Sequence, residues 1–301
     1  MLTRRTDLAV EAKEIWAESA EKQTELQGVR ARDEAVDGFN TTVVEILNQQ
    51  GADALGKPVG TYVTVELDSL IRREDDSFRK GIEVICKKLR GLLNLTDSDH
   101  VLVVGLGNAA ITPDRIGPLT AKSTMVTKHL VERVPEHFGN FRRVSLLEPG
   151  VLGTTGMESA SVVKAVVNEI RPDKVVAVDA LASRNLGRVC RTVQICDTGI
   201  VPGSGVKNAR EAINKSTLGV PVVSMGVPTV VDAGTLAADL IEQTGHAAPE
   251  PDAFSTVGGS MIVTPKEIDT QVADMGKLLG YSLNRAFHDG LEVEDIDMFL
   301  S

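Results

Sequence analysis

The sequence predicts an α/β fold: a mostly parallel sheet flanked by helices on both faces, three layers in all, with small β additions. Three observations predict it. Short β-branched runs alternate with segments of helical spacing from residue 101 to residue 243. Apolar residues make up 42% of the 301-residue chain but aromatics only 3%, so the core must be built from Val, Leu, Ile and Ala. That composition suits a sheet buried on both faces better than an aromatic-rich barrel. No linker separates the core strands, so one domain accounts for them.

Taken in order, residues 8–35 are rich in Ala, Glu and Lys, with Ile15 and Trp16 as apolar anchors. They predict a peripheral helix followed by a charged connector. Residues 41–47 and 61–67 read as strands, with Gly56, Pro58 and Gly60 in the turn between them. Residues 74–95 place Phe78, Ile82, Ile85, Leu89, Leu92 and Leu93 at helical spacing. A strand at 101–105 then leads to a helix near 119–134. A strand at 143–147 leads through the Gly-rich loop 149–156 to a helix at 157–170, which Thr155 and Glu158 open as a capping box. Pro172 stops that helix before the strand 174–179. Further strands at 192–196 and 220–226 and a helix at 232–243 follow. Residues 245–260 are Pro/Gly/Ser-rich and read as a surface loop, and 264–288 return to helical spacing.

Bulk properties exclude several classes. The net charge is −10 and the pI is near 5.1, so there is no basic footprint for a nucleic-acid backbone. No window approaches the ~20 apolar residues of a membrane span, and the N-terminus has no signal core. The three cysteines, Cys86, Cys190 and Cys196, fit no zinc spacing and read as reduced thiols. A cytoplasmic protein that binds neither membrane nor nucleic acid is expected.

Two apolar runs stop at or near an aspartate. Residues 101–118 deliver Asp114 in the turn Thr112-Pro113-Asp114, and residues 175–184 deliver Asp179. An Asp in a Pro/Gly turn ordinarily bonds its own backbone. Asp179 is harder to explain that way, because Val175 to Val178 reads as buried on both faces and a carboxylate there must be paired, metal-bound or protonated. Strand C-termini are where open α/β sheets form their ligand crevice. Two such carboxylates can activate water.

Other motifs carry less. Gly105, Gly107 and Ala110 satisfy a dinucleotide-binding pattern, but Pro113 interrupts the helix that should follow. Glu148 stands about 40 positions on, where the motif needs an acid at ~20. The glycines read instead as a tight turn that brings backbone close to Asp114. Asp197-Thr198-Gly199 matches the three-residue signature of two-lobed aspartic proteases, yet those are all-β, so a structural turn is expected. Ser204, in Pro202–Gly205, reads as a turn too. The five histidines show no metal-ligand spacing, and no Ser sits in a nucleophile elbow.

Several longer stretches resemble the germination endopeptidases of spore-forming bacteria: residues 4–12 (RRTDLAVEA), 102–118 (LVVGLGNAAITPDRIGP), 148–159 (EPGVLGTTGMES), 175–184 (VVAVDALASR), 198–210 (TGIVPGSGVKNAR), 226–233 (GVPTVVDA) and 261–269 (MIVTPKEID). The resemblance implies a peptidase that initiates degradation of small acid-soluble spore proteins during germination, in the developing forespore and spore core. It implies a fold similar to hydrogenase-maturation endopeptidases and assembly as a homotetramer. It also implies a catalytic pair at Asp114 and Asp179, and a self-processing zymogen cut between Asp7 and Leu8. Residues 1–7 would then be the propeptide, shorter than usual for the family, and 8–301 the peptidase domain.

The resulting expectation is an aspartate dyad sharing one proton, with no cofactor and no metal. The sequence does not assign acid and base within the pair. The loop Gly150–Gly156 is expected to present N–H groups to substrate, and Arg184 or Lys128 to meet its acidic residue. Two rival readings remain: a metal-assisted maturation-type endopeptidase using the same aspartates, and a nucleotide-binding regulatory module using Gly105–Ala110.

Overall fold

The computed structural model describes residues 6–19, 26–206, 208–247 and 261–301. Among these residues nine strands form one sheet: β1 (Val29–Val36), β2 (Phe39–Ile46), β3 (Gly60–Glu66), β4 (His100–Gly105), β5 (Arg143–Leu147), β6 (Lys174–Ser183), β7 (Thr192–Cys196), β8 (Val222–Asp232) and β9 (Ile262–Val263). Their order is β1-β2-β3-β7-β8-β6-β4-β5, with β9 added to β8. Strands β5, β4, β6 and β8 run parallel. Strands β7, β3, β2 and β1 continue the sheet antiparallel, as does β9 on β8. The layered α/β architecture is the one expected, and its antiparallel part extends to half the sheet.

Side-chain alternation sorts the core onto the two faces. On one face Val63, Val65, Val103, Val176, Val178, Val193, Ile195, Val223 and Met225 form the largest cluster, covered by the helices Ser77–Leu93 and Ile268–Phe287. On the other, Leu102, Val104, Val175 and Ala177 pack under the helix Ser159–Ile170. Farther along this second face, Val44, Ile46, Tyr62 and Cys196 pack beneath the N-terminal helix Ala9–Ser19. In β4, β6 and β8 nearly every residue is buried, because both pleats are covered.

Several local expectations are corrected. The charged connector is largely strand β1, whose half-exposed pattern leaves Arg30, Arg32 and Asp33 in water. As an edge strand it gains its hydrogen bonds from β2 alone, so charge is tolerated there. The helix near 119–134 is broken into Ile116–Lys122 and Lys128–Arg133. Thr155 does not cap the helix Ser159–Ile170. Its hydroxyl accepts from Met157 N–H at the end of the short helix Leu152–Thr155, and Glu158 occupies the N-cap without a side-chain bond. Strand β6 runs four residues past Asp179, because β8 continues to pair with it as far as Ser183. Asp179 is therefore inside a strand and not at its end. Most of the loop expected at 245–260 lies outside the described residues.

Candidate active site

The site forms where β4 stops and β6 does not. Strand β4 pairs with β6 up to Gly105 opposite Val178, and Leu106 N–H donates to Val178 O as the chain leaves the sheet. The departing chain turns at Gly107, whose φ of +111° suits glycine and whose missing Cβ would stand 2.1 Å from the Asp114 carbonyl oxygen. Asn108 N–H then donates to Asp114 Oδ2 at 2.8 Å. Thr229 Oγ1 donates to Pro113 O at 2.7 Å and fixes the other side of the turn. The glycines thus serve the tight turn that their spacing suggested, and the helix required by a dinucleotide site does not begin at Ala110.

Asp114 and Asp179 both line a cleft of about 490 Å³. Asp179 is 5% exposed and accepts only from Ala180 N–H, at 2.9 Å. Burial first, then the charge of Asp114, pushes its carboxyl well above the usual carboxylate range, and Asp7 adds to this. Burial also raises Asp114, against the stabilising N–H of Asn108. Burial favours the neutral form of both carboxyls, and at Asp179 the charge of Asp114 adds to it.

The same cleft is walled by Asp7. Its N–H donates to Ala182 O at 2.9 Å, and its carboxylate accepts from Ala182 N–H at 2.8 Å and from Ser204 Oγ at 2.7 Å. Gly205 makes room, since a Cβ there would stand 2.3 Å from Asp7 Oδ2. Leu8 is fully buried and packs with Val10 and Leu181. Gln194 Nε2 donates to Asp7 O at 2.9 Å, and Lys57 Nζ donates to Thr6 O at 2.9 Å. Burial lowers the Lys57 ammonium, and the charge of Asp7 opposes that.

Downstream, Glu11 is enclosed completely. It accepts from Arg184 N–H, Asn185 N–H, Ser183 Oγ, Thr6 Oγ1 and Arg188.

Arg184 is bonded to Asp239 and Glu18, and Lys128 to Glu132, and neither lines the cleft. Among the described residues the cation that lines the cleft is Arg210, paired with Glu158 at 3.5 Å. Val151, Leu152 and Gly153 of the expected loop do line it. Asp197 accepts from Thr61 N–H on the neighbouring strand β3, and the three cysteines are free and buried. No group of three His, Cys, Asp or Glu side chains suited to a metal ion occurs among the described residues. Sequence reasoning missed Ser204, Lys57 and Gln194. Only the position of Ser204 inside a family-like stretch signalled any of them.

A family model described as germination protease matches residues 9–246. The chain belongs to the germination protease family. It is 40% identical to the germination protease of Caldanaerobacter subterraneus subsp. tengcongensis, over 98% of each chain. It is 41% identical to that of Clostridium tetani, over 99% of each, and 35% identical to that of Oceanobacillus iheyensis, over 97% of this chain and 96% of the relative. The family is one of endopeptidases acting in spore germination, and this chain is accordingly a peptidase. Among solved structures, a NiFe hydrogenase maturation protease from Thermococcus kodakarensis aligns with 65% of this chain and 97% of its own at 16% identity and a TM-score of 0.35. No helix among the described residues is long and apolar enough to cross a membrane.

Proposed function

We propose that the chain is an aspartic-type endopeptidase in which Asp114 and Asp179 activate water, and that its first substrate is its own Asp7–Leu8 bond. The observation that carries this reading is the presence of both carboxylates and of Asp7 in the wall of one cleft. Asp114, ionised, takes a proton from water. The water oxygen adds to the Asp7 carbonyl carbon. Asp179, which holds the shared proton, supplies it to the Leu8 nitrogen as the C–N bond breaks. One carboxylic acid and one amine result, with no external oxidant or reductant.

Residues 1–7 are then a propeptide and 8–301 the peptidase domain. The substrates in trans are small acid-soluble spore proteins, met in the developing forespore and spore core by a homotetramer. An acidic residue in such a substrate takes the place of Asp7 against Ser204 and the Ala182 N–H.

Intact mass after mildly acidic incubation tests the reading. Loss of residues 1–7 from the wild type but not from Asp179→Asn or Asp114→Asn is the expected result. Loss from an Asn variant at the wild-type rate overturns the dyad.

A further inference from the structure

Gln194 lies at the crossing of two features that the dyad does not use. Across the sheet, Asp179 on β6 is level with Gly226 on β8, and Gly226 with Gln194 on β7. All three belong to the pleat that faces the N-terminal helix, since Val178, Met225 and Ile195 beside them point into the opposite core. Gly226 leaves space above the row that Leu181 occupies; a Cβ there would stand 2.8 Å from Leu181 Cγ. Gln194 itself is 6% exposed. Both ends of its amide are engaged, and both partners come from one short stretch. Nε2 donates to Asp7 O at 2.9 Å, and Oε1 accepts from Ala9 N–H at 2.8 Å.

We infer that Gln194 is a further catalytic residue of the peptidase, which grips the cleaved bond on both sides and donates to its carbonyl oxygen as that oxygen becomes negative. This rests on the reading that Asp7–Leu8 is the bond cut. The two partners of the amide flank that bond: the carbonyl before it and the next N–H but one after it. A glutamine that only capped the helix beginning at Ala9 would need its Oε1 contact alone. The Nε2 contact falls on the oxygen that carries charge in the tetrahedral intermediate, and a donor already in place there strengthens as charge develops. Lys57, on the carbonyl one residue earlier, continues the same grip along the backbone. Cleavage in trans then draws on the same amide, with the substrate backbone replacing residues 6–9.

The test uses the full-length chain and follows self-cleavage by intact mass and N-terminal sequencing, with circular dichroism at each pH as the check on folding. Gln194→Met keeps the bulk and loses the donor. It is expected to cut the same bond about 10²–10³-fold more slowly, the effect of removing one oxyanion donor. Gln194→Glu provides a second route should the Met variant not fold. Its carboxyl can donate only when protonated, so its rate relative to the wild type is expected to fall as pH rises, a dependence that helix capping through Oε1 would not produce. A Met variant cutting within about threefold of the wild type, or a Glu-to-wild-type ratio flat with pH, overturns the role of Gln194. A wild type that cuts at another bond overturns the underlying reading instead, and the N-terminal sequence separates the two failures.

Discussion

The parallel and antiparallel halves of the sheet turn the same face toward the cleft and contribute different chemistry to it. In the parallel half the strands are mostly apolar, and the two carboxylates of the cleft stand beyond the last residue of β4. Asp114 follows the end of β4, and Asp179 sits at the level where β6 loses that neighbour. In the antiparallel half pairing is continuous, and polar side chains stand within the strands. Gln194 on β7 is held opposite Thr64 on β3, and it reaches the N-terminal segment because one pleat is given over to that segment. The two carboxylates of the cleft thus come from an interruption in the sheet, and the hold on the N-terminal segment comes from an unbroken part of it.

The largest effect expected from breaking this division of labour is at Asp179. Asp179→Asn keeps the shape and removes the proton donor, so self-cleavage should fall by at least ~10³-fold. The same variant sharpens the electrostatic side. A carboxyl whose folded pKa is raised contributes stability that is fully present below its unfolded value and lost as pH rises through the folded one. Urea unfolding of the wild type should therefore weaken relative to Asp179→Asn as pH climbs above about 4, and a difference that does not change with pH would contradict the buried, proton-holding assignment.

Glu11 ranks next. Glu11→Ala leaves the N–H groups of Arg184 and Asn185 without their acceptor and removes one of the two carboxylates on Arg188, which keeps Glu14. A loss of about 3 kcal/mol in unfolding free energy is expected, as for a broken buried ion pair. Ser204→Ala removes a single bond to the Asp7 carboxylate. It should slow self-cleavage about tenfold, the size of one hydrogen bond to a charged group, with the melting temperature little changed. Arg30 and Arg32, on the exposed side of β1, are paired only at the surface. Their alanine variants should leave both melting temperature and self-cleavage at wild-type values.

What could be read from the sequence follows the same division. The runs 101–105 and 174–178 announce buried strands because both faces are covered, and the glycines of 105–107 announce a turn next to Asp114. Strand β1 was illegible, since Arg30, Arg32, Asp33 and Glu34 are acceptable on an edge for reasons that lie in its partner. The continuation of β6 past Asp179 was hidden as well, because Ala180–Ser183 lack β-branched residues and are held extended by β8. Gln194 and Lys57 come from places far from the N-terminus in the chain, and no local spacing ties them to Thr6 and Asp7. Arg184 and Lys128 stand near motifs but are already paired, Arg184 with carboxylates on two helices and Lys128 with Glu132 one turn along its own helix.

The burial of Leu8 beside Asp7 has an electrical consequence. Cutting between them would release the anion that now raises the proton affinity of Asp179, and would leave a new ammonium on Leu8. The local charge moves by two units in the positive direction, and each unit favours an ionised dyad. The processed protein should accordingly cleave peptides with its acid limb displaced to lower pH than that of self-cleavage. A chain cut at this bond would also have retuned the carboxylates of its cleft.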